Sequence, residues 1–264
     1  MLTFLYKKSL HAYQQVIWIH SAFFLLYIIF DNFLKSGWDG LDWVNFLGLP
    51  ANMVLWKQAP WKLVTHLFVH VHFAHFFLNL LVLYFIGREL ENGVGKKKWW
   101  LTYGLGTLGG AFFYVLASGF LHLQDRVLIG NSAANMALVF ALFAIDRKKR
   151  INFFGVLILE MRWVALVLLL FDLIGIRQGW NAGGHWAHFG GGLMGWAFWY
   201  FNSSSTTPAV NKHRRPKTDE EFNNERAERE KRLNDILDKI NRSGYDSLSS
   251  KEKSFLKDQS ENMG

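Results

Sequence analysis

The 264-residue sequence contains no cysteine. Disulfide staples, thiol nucleophiles and thiolate metal sites are therefore excluded, and the redox state of the compartment leaves no trace. Charge is the second shortage. Only 19% of residues are charged, against 51% hydrophobic and 17% aromatic, with 24 Phe and 12 Trp. The scarcity is uneven. Residues 1–203 hold 16 Lys/Arg and 9 Asp/Glu, whereas 204–264 hold 13 and 12. A strongly charged, nearly balanced tail thus follows an apolar body. A cleavable leader is also missing from expectation: the run after Lys7 and Lys8 is long and Trp-rich without a small-residue cleavage site, so it reads as a first span.

What is present is a series of apolar stretches near the ~20 residues that cross a bilayer. Six spans are expected, over about 14–34, 64–87, 98–119, 130–146, 156–176 and 183–202. The fifth is interrupted by Glu160, Arg162 and Asp172, and 151–162 can instead lie at the interface. The fold class is all-α, a polytopic helical bundle, with domains at 1–203, a basic linker at 204–217 and a small helical tail at 218–264. The net charge of +8 sits mostly beside the spans, which argues for a lipid bilayer partner and against nucleic acid. One set of span ends carries Lys7, Lys8, Arg88, Lys96–Lys98, Arg147–Arg150 and Lys212–Lys217; the other carries only Lys35, Lys57, Lys62, Arg126 and Arg177. That asymmetry places both termini in the cytoplasm. Segment 36–63, broken but apolar around Trp56 and Trp61, reads as an interfacial outer loop.

Two polar residues stand out in this apolar setting. Ser132 opens the run Gly130–Leu138 and His188 opens the run His188–Gly195. A hydroxyl and an imidazole are costly in hydrocarbon without a partner, and they are the minimal nucleophile and base of covalent catalysis. Spans four and six run in the same direction, so the two residues share a depth. Gly191, Gly192 and Gly195 lie at i+3, i+4 and i+7 from His188, and Ala133, Ala137, Ala141 and Ala144 stripe span four. Such small faces let helix backbones approach closely in lipid. Taken singly, each feature also fits a packing seam with a buried hydroxyl. His75 and Asn79, at i and i+4 in span two, can both donate hydrogen bonds to an oxyanion. The dense histidines His66, His70, His72, His75, His185 and His188 invite a metal or haem reading. Without Cys or a His-Glu pattern, no metal and no cofactor is expected.

Gly130-Asn131-Ser132-Ala133, His188 with Gly191 and Gly195, and His75-x-x-x-Asn79 together resemble the rhomboid intramembrane serine proteases. Trp61-Lys62, the His66/His70 pair and Gly87-Arg88-Glu89-Leu90-Glu91 add to the likeness, which runs from about residue 14 to 202. The resemblance implies a six-span rhomboid-like bundle and a serine endopeptidase of the bacterial cytoplasmic (inner) membrane. It makes Ser132 the nucleophile and His188 the general base, a dyad without an acidic third member. His75, Asn79 and the Ser132 N–H would form the oxyanion hole, and single-span membrane proteins would be the substrates. The family usually has Gly after the serine; here Ala133 stands there, so a proteolytically inactive rhomboid-like protein that binds transmembrane helices is the alternative. Asp172 has two readings, a group that polarises a neighbour and, preferred, a residue at the outer interface. In the tail, Leu233, Ile236, Leu237 and Ile240 mark an amphipathic helix, and Ser249-x-x-Glu252 is a capping-box pattern opening a second. This pair resembles a C-terminal appendage of some bacterial rhomboid-like proteins and carries no catalytic constellation; its partner is unknown.

Overall fold

The computed structural model describes residues 10–30, 42–52, 57–121, 127–202 and 219–261. Lys7, Lys8, Lys35, Trp56, Arg126 and the linker 204–217 lie outside the described residues. The chain falls into two compact units, Met1–Pro208 and Ala209–Gly264.

In the first unit, α1 (Ala12–Ile29) starts where the N–H groups of Ala12 and Tyr13 donate to the buried Glu91 carboxylate, at 2.8 and 3.1 Å. A carboxylate at a helix N-terminus satisfies orphan donors and complements the helix dipole. A short α2 (Trp43–Leu47) is capped by Asp42, whose carboxylate accepts from the N–H of Val44 and Asn45. It is tied to α3 (Lys62–Thr65) by Thr65 Oγ1 donating to Leu47 O. Next, α4 (Phe73–Val94) contains a π turn at Leu83–Gly87 and stops at Gly95, φ +80°. The long α5 (Lys96–Leu121) follows. Then come α6 (Ser132–Ile145), α7 (Met161–Gln178) and α8 (Ala182–Asn202).

Helix dominates, and two small antiparallel pairs qualify the all-α expectation. Strand β1 (Leu49–Pro50) pairs with β2 (Val127–Leu128), joining the segment between α2 and α3 to the approach to α6. Strands β3 (Arg150–Phe153) and β4 (Leu157–Glu160) form a hairpin before α7. Expected span five therefore begins as strand, with helix only from Met161. Expected span two also starts later, at Phe73. His66–Phe68 forms a 3-10 turn and Val69 and His72 are extended, because this backbone bonds to a distant turn: the Gly130 N–H donates to His66 O at 2.8 Å.

Among the described residues, three helices, Ala12–Ile29, Phe73–Val94 and Lys96–Leu121, are long and apolar enough to cross a membrane. The distribution of side chains has the sense that lipid requires. Trp18, Phe112, Phe120, Val167 and Phe171 are exposed, while His20, His70, Asn79, Asn131, Asn135 and Asp172 are buried. Apolar groups face outward and polar groups pair internally, the reverse of the sorting that water imposes.

At the centre, α5, α6 and α8 pack with almost no side chain between them. A Cβ at Gly106 would overlap Ala137, one at Gly110 would overlap Ala133, and those at Gly191 and Gly195 would overlap the carbonyls of Ala133 and Ala137. Gly192 instead faces Phe140. Below this seam Trp99, Leu83, Leu90, Leu138 and Met161 make a fully buried apolar cluster, with Trp99 Nε1 donating to Gly87 O at 2.9 Å.

The second unit is a helical hairpin, α9 (Asp219–Ser243) and α10 (Ser250–Glu261), turned by Gly244 at φ +79°. Ile236 and Leu248 are its buried apolar contacts. Lys239 Nζ pairs with the Glu252 carboxylate at 3.0 Å, and the Arg232 guanidinium lies over Phe255.

Candidate active site

Ser132 is the first residue of α6, and the turn that delivers it is fixed from both sides. Gly130 has φ +91°, and a Cβ there would lie 2.7 Å from the His75 ring, so only glycine fits. The side chain of Asn131, fully buried, donates to Tyr103 OH on α5 and accepts from His70 Nε2, each at 3.2 Å. His66 in turn directs Nδ1 to Lys62 O at 2.9 Å. The His66/His70 pair thus braces the Gly130–Asn131 turn, and its place in the motif is structural.

His188, nearly two turns into α8, brings Nε2 to 2.7 Å from Ser132 Oγ. Gly191 and Gly195 make this approach possible, since any side chain on that face would push α8 away from Ala133 and Ala137. The other ring nitrogen, Nδ1, lies 2.7 Å from Asp172 Oδ1, and His185 Nδ1 lies 2.7 Å from the same oxygen. Asp172 is 2% exposed. Whatever its depth, this side chain is not on the surface: α7 turns the carboxylate inward against α8. Sequence reasoning set Asp172 and His185 aside, preferring an interface position for the first and His188 over the second. The signal was a lone acid in an apolar helix, which needs a buried partner, together with a histidine one turn before His188.

His75 and Ser132 share a cleft of about 690 Å³ with His72, His185, His188 and Tyr114. Asn79 sits behind it, 6% exposed, donating to His75 O at 2.8 Å and accepting from Asn135 Nδ2 at 2.8 Å. Of the two residues expected to meet an oxyanion, His75 lines the cleft and Asn79 backs it. The first turn of α6 adds backbone N–H groups that have no acceptor within the helix.

Asp172, His185 and His188 are also the kinds of ligand a metal takes, with their atoms within 4.8 Å of one another. Zinc ligands bound at about 2.0–2.2 Å on a tetrahedron stand roughly 3.3 Å apart. Both imidazole nitrogens are closer than that to the carboxylate oxygen, at 2.7 Å. The arrangement is that of two hydrogen bonds converging on one acceptor.

Ser132, His188, Asp172, His185 and His75 thus form a polar constellation at the end of closely packed apolar helices. Residues 57–205 match the rhomboid domain, more than half of the chain, and the protein belongs to the rhomboid family. Residues 217–262 match a family of unknown function (DUF6576). "Rhomboid-like protease 3" of Toxoplasma gondii is 28% identical over 127 residues, covering 48% of this chain and 46% of that protein. "Putative rhomboid protease YdcA" of Bacillus subtilis is 29% identical over 114 residues, 38% of this chain and 53% of that protein. The chain thus spans about half the length of the curated relatives it matches.

Proposed function

We propose that this rhomboid protein is an intramembrane serine endopeptidase that cuts transmembrane segments of single-span membrane proteins. The observation that carries the reading is the 2.7 Å approach of His188 Nε2 to Ser132 Oγ beside an open cleft. In the first step His188 takes the hydroxyl proton as Oγ attacks the scissile carbonyl. The oxyanion that forms meets the Ser132 N–H and His75, and Asn79 joins as its side chain turns toward the cleft. The imidazolium then protonates the leaving amine, and water entering the cleft releases the acyl chain by the same steps in reverse order.

A transmembrane helix hides its carbonyls in its own hydrogen bonds, so the scissile stretch must first become extended. Small residues that loosen a helix are the expected cleavage positions. The bundle is proposed to cross the bacterial cytoplasmic membrane six times with both termini in the cytoplasm, as the Lys/Arg bias requires. The departure at Ala133 has a steric answer, which favours catalysis over the inactive alternative. The methyl group of Ala133 occupies space left by Gly110 on the neighbouring α5. Its backbone N–H is unchanged.

The test is cleavage of a membrane-spanning substrate by purified protein in liposomes, with Ser132→Ala and His188→Ala beside it. Cleavage by the parent and loss of at least about 1,000-fold in both variants is expected. Equal cleavage by all three removes the reading, and no cleavage with retained binding of the span favours the inactive alternative.

A further inference from the structure

The proposed dyad leaves one buried acidic side chain unused. Asp172 is the one acidic residue within α7, and it directs a single oxygen at two imidazoles while Oδ2, also buried, has no hydrogen-bond partner among the described residues. A carboxylate placed for stability would satisfy both oxygens. Concentrating its hydrogen bonding on one side, and leaving the other bare, is the pattern of a group held for function.

We propose that Asp172, itself held by His185, is a positioning residue for His188: it sets the tautomer of the general base and offsets the charge the base acquires. The inference rests on the hydrolytic reading above. Its logic is a count of protons. An ionised carboxylate only accepts hydrogen bonds, so both Nδ1 atoms that meet it must carry hydrogen. A neutral imidazole has one such proton. His188 Nε2 is therefore bare, and the Ser132 hydroxyl 2.7 Å away must be the donor. That is the direction in which the proton has to move. When it moves, the positive ring stands 2.7 Å from a negative oxygen, in surroundings where such an attraction is strong.

His185 gives this carboxylate its second anchor. Its ring lies where a Cβ on Gly175 would be, one turn along α7 from Asp172, and Phe171 meets it edge-on with centroids 5.6 Å apart. Glycine at 175 opens the slot through which His185 reaches the carboxylate. Asp172 does not line the cleft shared by Ser132, His185 and His188; it borders a separate apolar cavity of about 220 Å³ with His188, Phe140 and Trp196, so a substrate seated in the cleft meets His188 and not this carboxylate.

Steady-state cleavage in liposomes separates these roles. Asp172→Asn keeps the shape and one acceptor oxygen but removes the charge. Its kcat is expected to fall on the order of 100-fold with KM within about twofold. Gly175→Ala, which displaces His185 without touching Ser132, is expected to lower kcat about 10-fold, again at constant KM. An Asp172→Asn enzyme with the parent's kcat overturns the proposal. A second measurement needs no substrate. In protein carrying ¹⁵N-labelled histidine in lipid, the His188 signal is expected to show hydrogen on Nδ1 in the parent and a mixture of tautomers in Asp172→Asn. Hydrogen on Nε2 in the parent, or the same populations in both, also overturns it. If parent and Ser132→Ala cleave alike, the hydrolytic reading fails, and the tautomer measurement alone decides whether Asp172 sets the His188 ring.

Discussion

Asn131 shows how much a single side chain does beside a reacting group. It has no exposed surface, and its amide joins His70 to Tyr103 across the turn that presents Ser132. Truncating it leaves two buried polar partners unpaired, each costing about 1–3 kcal/mol. Asn131→Ala is expected to lower unfolding stability by about 2 kcal/mol or more in a denaturant titration. The same change frees the start of α6, and a displacement near 1 Å of the nucleophile costs about 100-fold in rate. Stability and cleavage should therefore fall together in this variant, unlike Asp172→Asn, where cleavage alone falls. Glu91 works similarly at a distance from the site. Its carboxylate closes the first turn of α1, so Glu91→Ala is expected to cost about 2 kcal/mol, with Glu91→Gln recovering part of it.

Among elements, the seam between α6 and α8 decides whether Ser132 and His188 meet at all. Gly191→Val would put a branched side chain onto the Ala133 carbonyl and separate the helices. Cleavage is expected to drop on the order of 100-fold or more, because the proton-transfer distance opens. This seam is legible in the sequence, since glycine and alanine at i, i+3, i+4 and i+7 have no other use on a buried face. The serine, the histidine and their shared depth are legible for a related reason: polar groups are few in the spans and each must find a partner. Asp172 is not. Its position within an apolar helix says that it needs a partner, but only the rotation of α7 against α8 says which. The late start of α4 is equally hidden, because the hydrogen bond that holds His66 comes from Gly130, more than sixty residues away. Only the second strand of the hairpin, Leu157–Glu160, falls within the expected fifth span, and its exposed Leu157 and Ile158 read by composition as span or interface alike. In the tail, the capping box at α10 forms as its spacing suggests: the Ser249 N–H and Oγ–H donate to Glu252 at 2.7 and 2.8 Å. These hydrogen bonds, led by the Ser249 N–H, and the Lys239 ammonium pull the Glu252 carboxyl down to about 2. A folded pKa below the unfolded one adds stability above the unfolded value of roughly 4.3 and withdraws it as pH falls toward the folded one. The helical content of a tail fragment, or of the full chain, is expected to decline between about pH 4.3 and 2, with Glu252→Gln flattening that decline in circular dichroism.

At the scale of the whole molecule, the missing cysteines become an experimental advantage. Every cysteine introduced is the only one, so a membrane-impermeant maleimide reports the side of a single position. The proposed orientation sorts the exposed positions Lys97, Lys148 and Asn241 to the cytoplasm and Gln178, at the end of α7, to the opposite side. The physical basis is the crowding of Lys/Arg near residues 88–98 and 147–150 against their sparseness near 57–62 and 177, which holds the basic ends on the cytoplasmic side. In intact cells Gln178→Cys is expected to label while Lys97→Cys, Lys148→Cys and Asn241→Cys remain protected until the membrane is opened. The same labelling also reports the side to which the cleft opens. Ser132 and His188 stand near the same end of the bundle as Gln178, since α7 runs toward that end and α6 and α8 start from it, and the cleft is lined by Gly179 and Asn181. Labelling of Lys148→Cys in intact cells with protection of Gln178→Cys would invert the topology and open the cleft to the cytoplasm. Labelling of both would mean that α7 does not cross the bilayer, and the six-span arrangement would be lost with it.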